Sequence, residues 1–282
     1  MLVIAAVAPH GGIAVAEATK PETRHLAAKT RSGMGELGRR FAQARPETVV
    51  VISPHNVHVE GALAVVTSGW IAGDLRDTPE PVALRCQVDR PLARAIRDSI
   101  RRARVPVAGV SYGGNDPEDA AKAANTMPMD WGVLIPLWFC GGRFEPPVEV
   151  VAVSPARDLD PEQHLKAGRA LAAAVGRSGR RVGLIASADH GHAHAEDGPY
   201  GYHPAAAAYD EQIVQLIRSG RLAGLEKIDP QLVADAKADS WWQLLVLQGA
   251  LGTTWRGELL SYEAPTYFGM LCAAYAGRAM MD

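Results

Sequence analysis

The sequence predicts a single-domain α/β/α sandwich around a mostly parallel or mixed central sheet, and three observations predict it. Apolar runs of strand length, rich in β-branched residues, recur at residues 2–8, 48–53, 148–153 and 182–186, the pattern of strands buried on both faces. They alternate with segments of helical periodicity, as in an α/β fold. No Gly/Ser-rich or charged linker interrupts the chain, so 1–282 read as one domain.

Composition narrows the function classes. With 48% hydrophobic residues the chain can fill a large core, and a formal net charge of −2 gives no electrostatic footprint of a nucleic-acid or membrane-surface partner. Arg101-Arg102-Ala-Arg104 reads as a solvated helix face. Cys86, Cys140 and Cys272 are widely spaced and form no Cys-x-x-Cys pair, so neither a disulfide framework nor a thiolate zinc site is expected. The apolar N-terminus lacks a basic flank and is broken by Pro9-His10-Gly-Gly, and no apolar run reaches membrane-span length. A cytoplasmic protein is expected, without nucleic-acid or membrane partners and compatible with a homo-oligomer.

In chain order, the strand at 2–8 ends in Ala8-Pro-His10, and Gly11-Gly12 permits a tight turn. Residues 22–44 carry helical spacing, with Leu26, Met34, Leu37 and Phe41 on one face. The strand at 48–53 ends in Ser-Pro-His55-Asn-Val-His58, where proline removes a ladder donor and stops the strand. Strands are expected at 61–68 and 82–89, the second alternating Val82, Leu84, Cys86 and Val88. A helix follows at 91–104, with Pro91 in its first turn. A short strand at 107–112 is closed by Gly113-Gly114. In the apolar stretch 129–139 Asp130 is placed to cap a buried helix, although Pro136 leaves helix and strand hard to separate. The strand at 148–153 ends in Ser154-Pro155. Helices are expected at 160–176, at 204–218 and, as one or two, at 230–251, where Trp241, Trp242, Leu244 and Leu245 supply core. Residues 258–262 read as extended. His25 and His164 are expected at the surface.

The chemistry concentrates at strand tips. Three apolar strands each release a histidine at the carboxyl end: His10, His55 and the tract His190-Gly-His192-Ala-His194. Open α/β sheets bind ligands outside the carboxyl ends of their strands, so these tips suggest one site. Two imidazoles and one carboxylate make a facial triad for a ferrous ion with open positions, and His10 and His55 are the imidazole candidates. His58 lies beside them or in solvent. A turn in the His190–His194 tract would splay its side chains, so one or two enter the pocket, where a neutral imidazole serves as general acid/base. Asp189 either orients a neighbouring imidazole or caps a turn.

Five motifs in order, Ala8-Pro-His10-Gly-Gly, Val51-Ile-Ser-Pro-His55, Asp130-Trp-Gly-Val-Leu-Ile-Pro-Leu137, Ser187-Ala-Asp-His-Gly-His192 and Leu260-Ser-Tyr-Glu263-Ala-Pro, span almost the whole chain. Together they resemble the class III extradiol ring-cleavage dioxygenases, the superfamily of the protocatechuate 4,5-dioxygenase catalytic subunit and of the Memo-like proteins. By that resemblance His10, His55 and Glu263 match the iron ligands and His192 the active-site acid/base, with His190 the competing candidate. Trp131, His58 and Tyr262 are expected to line the substrate pocket. Many members have Asp-His-Gly where this chain has Asp130-Trp131-Gly132, so a proton-exchanging group is replaced by an indole. The resemblance implies Fe(II), with Zn(II) the alternative metal, and a small catecholic or 2-aminophenolic substrate opened with dioxygen. The rival readings are a Memo-like metal-binding protein without ring chemistry and a zinc-dependent hydrolase.

Overall fold

Residues 1–113 and 125–277 are described by the computed structural model; Gly114, expected to help close the strand at 107–112, lies outside them. The first half contains β1 (Leu2–Ala8), α1 (Ala28–Ala44), β2 (Thr48–Ile52), β3 (Leu63–Val66), β4 (Trp70–Leu75), β5 (Val82–Gln87), α2 (Arg90–Arg102) and β6 (Val107–Val110). The second contains β7 (Thr126–Pro128), α3 (Trp131–Cys140), β8 (Glu149–Ser154), α4 (Pro161–Arg177), β9 (Val182–Ser187) and α5 (Pro204–Arg218). It ends with α6 (Pro230–Asp235), α7 (Trp241–Leu251), β10 (Trp255–Glu263) and β11 (Met270–Gly277).

The large sheet runs β10-β11-β1-β9-β2-β8-β3-β6. Its four central strands, β1, β9, β2 and β8, are mutually parallel, and every residue of β2 and β9 is buried. That double-faced burial is why their sequences are apolar throughout rather than alternating. β11 and β10 add an antiparallel hairpin on one side; β3 joins β8 antiparallel on the other and carries β6 parallel. The sheet is therefore mixed, with a parallel centre. A second sheet, β5-β4-β7, lies against α3, and β5 shows the expected alternation with Val82, Leu84 and Cys86 buried.

Helices cover the sheet in two groups, α1 with α3 and α2 with α4 and α7, both in contact with the central strands. Among the described residues the main helix–helix contacts, α1 with α3 and α4 with α2 and α7, fall within each group, as in an α/β/α architecture. Most of the buried apolar side chains of both layers join one hydrophobic cluster.

Two expectations for single elements change. The segment expected to be helical from residue 22 is a 3-10 turn over Pro21–Ala27, and α1 begins only at Ala28. Leu26 is 40% exposed and falls off the Met34/Leu37/Phe41 face, because the tighter 3-10 winding shifts the side-chain phase. His164, expected at the surface, is fully buried in the first turn of α4, with its Nδ1 against the Asp160 carbonyl. Burial holds its imidazole pKa below the usual range. In α3, Asp130 accepts from the Val133 N–H as the N-cap, and Pro136 sits inside a helix whose side chains are almost all buried.

The closest helix crossing rests on two glycines. A Cβ added at Gly168 of α4 would come within 2.1 Å of the Val246 carbonyl, and one at Gly249 of α7 within 2.2 Å of the Leu165 carbonyl. The backbones touch where no side chain fits. Gly168→Ala is therefore expected to destabilise the fold by about 1–3 kcal/mol, despite alanine's better helix propensity. Urea unfolding checks this, and an unchanged midpoint would mean that the two helices can separate freely.

Candidate metal centre at the carboxyl rim of the sheet

The parallel register brings the tips of the central strands level. Ala8 lies opposite Ser187 and Ile52 opposite Ala186, so the loops after β1, β9 and β2 leave the sheet side by side. His10 and His55 meet there with their Nε2 atoms 3.1 Å apart. A third donor comes from the turn before α7: Asp239 Oδ2 lies 3.4 Å from His10 Nε2 and 3.0 Å from His55 Nε2. These form the group of potential metal ligands found among the described residues.

The separations suit a cation. Bonds of about 2.1 Å place neighbouring donors about 3.0 Å apart at right angles and about 3.4 Å apart in a tetrahedron, which brackets all three observed values. Two imidazole nitrogens at 3.1 Å would otherwise set a lone pair against a lone pair, or leave one proton between them. His10 is also fixed in tautomer. Its Nδ1 lies 2.9 Å from Ser187 Oγ, whose hydroxyl is committed to the Gly132 carbonyl at 2.5 Å, so Nδ1 donates and Nε2 keeps its lone pair for the cluster. Asp239 is steadied by Gln243 Nε2 and Arg157, 3.2 and 3.3 Å from Oδ1.

Without a cation the charges settle differently. Burial alone would lower the pKa of His10, but Asp189 and Asp239 together carry it up to about 9. Burial would raise Asp239, yet the hydrogen bonds from His10 and His55 hold it well below the ordinary carboxylate range. Asp189 Oδ1 accepts the His10 backbone N–H and its Oδ2 lies 3.5 Å from His10 Nε2, so this carboxylate anchors the backbone at His10 and adds negative charge beside its ring.

The third expected ligand lies elsewhere. Glu263 is at the end of β10 and its Oε1 accepts the Thr30 N–H at 2.7 Å; Asp239 holds the position beside the two imidazoles that Glu263 was expected to fill. Tyr262, expected in the pocket, directs its hydroxyl to Asp210 at 2.7 Å. β10 is the edge strand of the sheet, separated from β1 by β11. No motif announced Asp239. In sequence, Asp239-Ser240 before Trp241 reads as a break between helices, and its place at the rim depends on α7 packing against β9.

The histidine tract splays as its turn requires. His192 lines an open cleft of about 420 Å³ together with His55, His58, Arg157, Tyr200, Lys237 and Asp239. Its Nδ1 lies 2.8 Å from the His190 carbonyl, which makes Nδ1 the donor and leaves Nε2 the accepting nitrogen, and its ring stacks on Phe268 with centroids 5.4 Å apart. His190 is fully buried instead. Its Nδ1 pairs with Ser240 Oγ, itself bonded to the Tyr209 hydroxyl, and burial lowers its pKa. His194 Nε2 is bonded to Asp210 Oδ2. Asp210, which sequence reasoning passed over, also accepts the Gly191 N–H at 2.8 Å and so ties the tract to α5. His58 is exposed at the cleft and His25 is exposed away from it. Trp131, half exposed in the first turn of α3, lies over His55 with ring centroids 4.7 Å apart. Gly132 permits this approach, since a Cβ there would meet Ser53 Oγ at 2.4 Å and His55 Cδ2 at 3.4 Å.

A mixed α/β sheet whose central strands bring two imidazoles together, joined by a carboxylate, defines the class: an α/β protein with a candidate metal centre at its carboxyl rim. Within that class the chain belongs to the family described as the catalytic LigB subunit of aromatic ring-opening dioxygenase, whose model matches residues 4–271. It is similar to Protein CA_C1420 of Clostridium acetobutylicum, with 28% identity over 258 residues, which cover 90% of this chain and 53% of that protein. The chain thus spans about half the length of this curated relative. It is also similar to the crystal structure of uncharacterized protein JW3007 from Escherichia coli K12, with a TM-score of 0.59 and 18% identity over 96% of this chain and 99% of that one; at that identity the likeness is one of fold. Among the described residues no helix is long and apolar enough to cross a membrane.

Replacing His10, His55 or Asp239 with Ala is expected to weaken Zn(II) or Fe(II) binding by more than about 100-fold, since loss of an outer supporting group alone costs 10- to 100-fold. Glu263→Gln is expected to leave affinity unchanged. Anaerobic metal titration distinguishes the two carboxylates, and loss of metal in Glu263→Gln alone would reverse the assignment.

Proposed function

We propose that the chain is a mononuclear Fe(II)-dependent extradiol dioxygenase that opens a catecholic or 2-aminophenolic ring. The observation that carries this reading is the His10/His55/Asp239 cluster opening onto a cleft that also holds His192, combined with family membership. His10 Nε2, His55 Nε2 and Asp239 Oδ2 would hold the ion, which when bound supplies Lewis acidity toward the substrate oxygens and an open position for dioxygen.

The remaining work falls to side chains. Ser187 keeps His10 in its ligating tautomer, and Arg157 and Gln243 hold Asp239 in place. The His190 carbonyl keeps the His192 Nδ1 proton, so His192 Nε2 is the atom that takes a proton from a substrate hydroxyl and returns it later. Phe268 fixes the plane of that ring. Trp131 forms an apolar wall over His55 and carries one indole donor that cannot exchange a proton near neutral pH.

Oxygen consumption by anaerobically iron-reconstituted protein against a panel of catechols and 2-aminophenols tests the reading, and absence of uptake with every member would overturn it. His192→Ala is expected to retain metal but lose turnover on the order of 100-fold or more, while a mild effect would remove His192 from proton transfer. Trp131→His is expected to raise catechol turnover with metal affinity nearly constant, because it restores a titratable ring at the edge of the site. A wild type as fast as the variant would place Trp131 outside the proton path.

A further inference from the structure

The outer half of the cleft carries an excess of positive charge that the metal cluster does not use. Asp239, the one carboxylate lining it, is already shared by His10, His55 and Arg157. The side chain of Lys237, by contrast, makes no hydrogen bond or ion pair among the described residues. Arg157 arrives from the loop after β8. Its guanidinium lies over the Trp242 ring, 4.9 Å from the centroid, with one nitrogen on Asp239, which leaves the rest of its donor fork for a second acceptor.

The backbone at Lys237 is left-handed. After α6 the Lys237 N–H reaches the Ala234 carbonyl and the Ala238 N–H the Val233 carbonyl, the paired bonds of a Schellman closure. The residue at its left-handed position is usually glycine. Here it is lysine, at φ 52°. Arg45, Asp77 and Arg104 also hold positive φ, but of these four residues it is Lys237 that lines the cleft, two residues before Asp239. At about 420 Å³ the cleft lies in the range that holds ligands larger than a bare ring.

We propose that Lys237, with Arg157, is the specificity-determining pair of this cleft and selects substrates that carry an anionic group, a carboxylate, on a side chain reaching outward from the ring. This rests on the ring-opening reading for where the ring sits, but the charge selection stands on the cleft itself. The ring lies between Trp131 and His192 near the cluster, and its side chain runs toward the rim formed by Arg157 and Lys237. An ammonium with no internal partner and a half-committed guanidinium stabilise a carboxylate by charge-assisted hydrogen bonds, whereas a neutral amide leaves both cations without that gain.

The test is binding to Zn(II)-loaded protein, in which no ring opening occurs. Calorimetry compares 3-(3,4-dihydroxyphenyl)propanoate with its primary amide at low and high salt. The acid is expected to bind about 10-fold more tightly, with the preference shrinking as salt screens it. Lys237→Gly is expected to keep or raise Tm, since glycine relaxes the left-handed position, and to lose most of the preference. Lys237→Glu is expected to reverse it. Equal binding of acid and amide, no binding of either, or an unchanged preference in Lys237→Gly would each overturn the proposal. Iron-loaded protein that opens neutral and anionic catechols equally well would overturn the selectivity and leave the ring-opening reading intact. A carboxylate preference on zinc with no oxygen uptake on iron would do the opposite.

Discussion

The parallel register of β1, β9 and β2 is the constraint on which the rest depends. Three strands buried on both faces can present polar groups only at their ends, and parallel pairing puts all the carboxyl ends on one rim. Residues 45 positions apart in sequence then meet at 3.1 Å. Because β8 lies next in the same direction, its loop adds Arg157 to that rim. One pairing rule thus brings together the two imidazoles and Arg157, while Asp239 and Lys237 arrive from the turn between α6 and α7.

Burying polar groups beneath such a site demands partners, and the chain supplies them from distant segments. Asp210 on α5 receives donors from the histidine tract and from β10. The tract is also laced by backbone bonds to the segment before β11, with the His190 N–H on the Gly269 carbonyl and the His194 N–H on that of Tyr267. A buried carboxylate with three donors is firmly held, so His192 has a fixed anchor on both sides. Elsewhere in the family motif, tyrosine and glutamate serve this support: Tyr262 on Asp210 and Glu263 on the start of α1.

The close approach of α3 joins the two sheets to the same site. The small sheet carries the chain through β7 to Asp130, whose cap begins α3, and Gly132 lets that first turn press on His55. Trp131 is held over the imidazole by this geometry rather than by a bond of its own. The cleft is therefore walled by rigid elements on one side and by the Lys237 turn on the other. Trp131 covers His55 with an apolar ring, while Arg157 and Lys237 line the cleft with positive charge.

The sequence by itself determined the four parallel central strands, their buried character, the Asp130 cap and the delivery of His10, His55 and the histidine tract to strand ends, because each follows from local composition and from Pro or Gly at a fixed offset, whereas β4, β7 and β11 were not read from it. It also placed His192 in the cleft through its motif context. What it could not determine was which carboxylate completes the cluster. Glu263 and Asp239 are equally competent donors chemically, and the choice between them is made by the docking of α7 on β9 and by the place of β10 at the edge of the sheet, both long-range packing outcomes. The same holds for His164, whose polar identity suggests surface but whose position on α4 is buried by the packing of the fold. Lys237 is the clearest case: only the folded turn reveals a left-handed lysine, since the closure that sets its backbone is written in hydrogen bonds rather than in residue types.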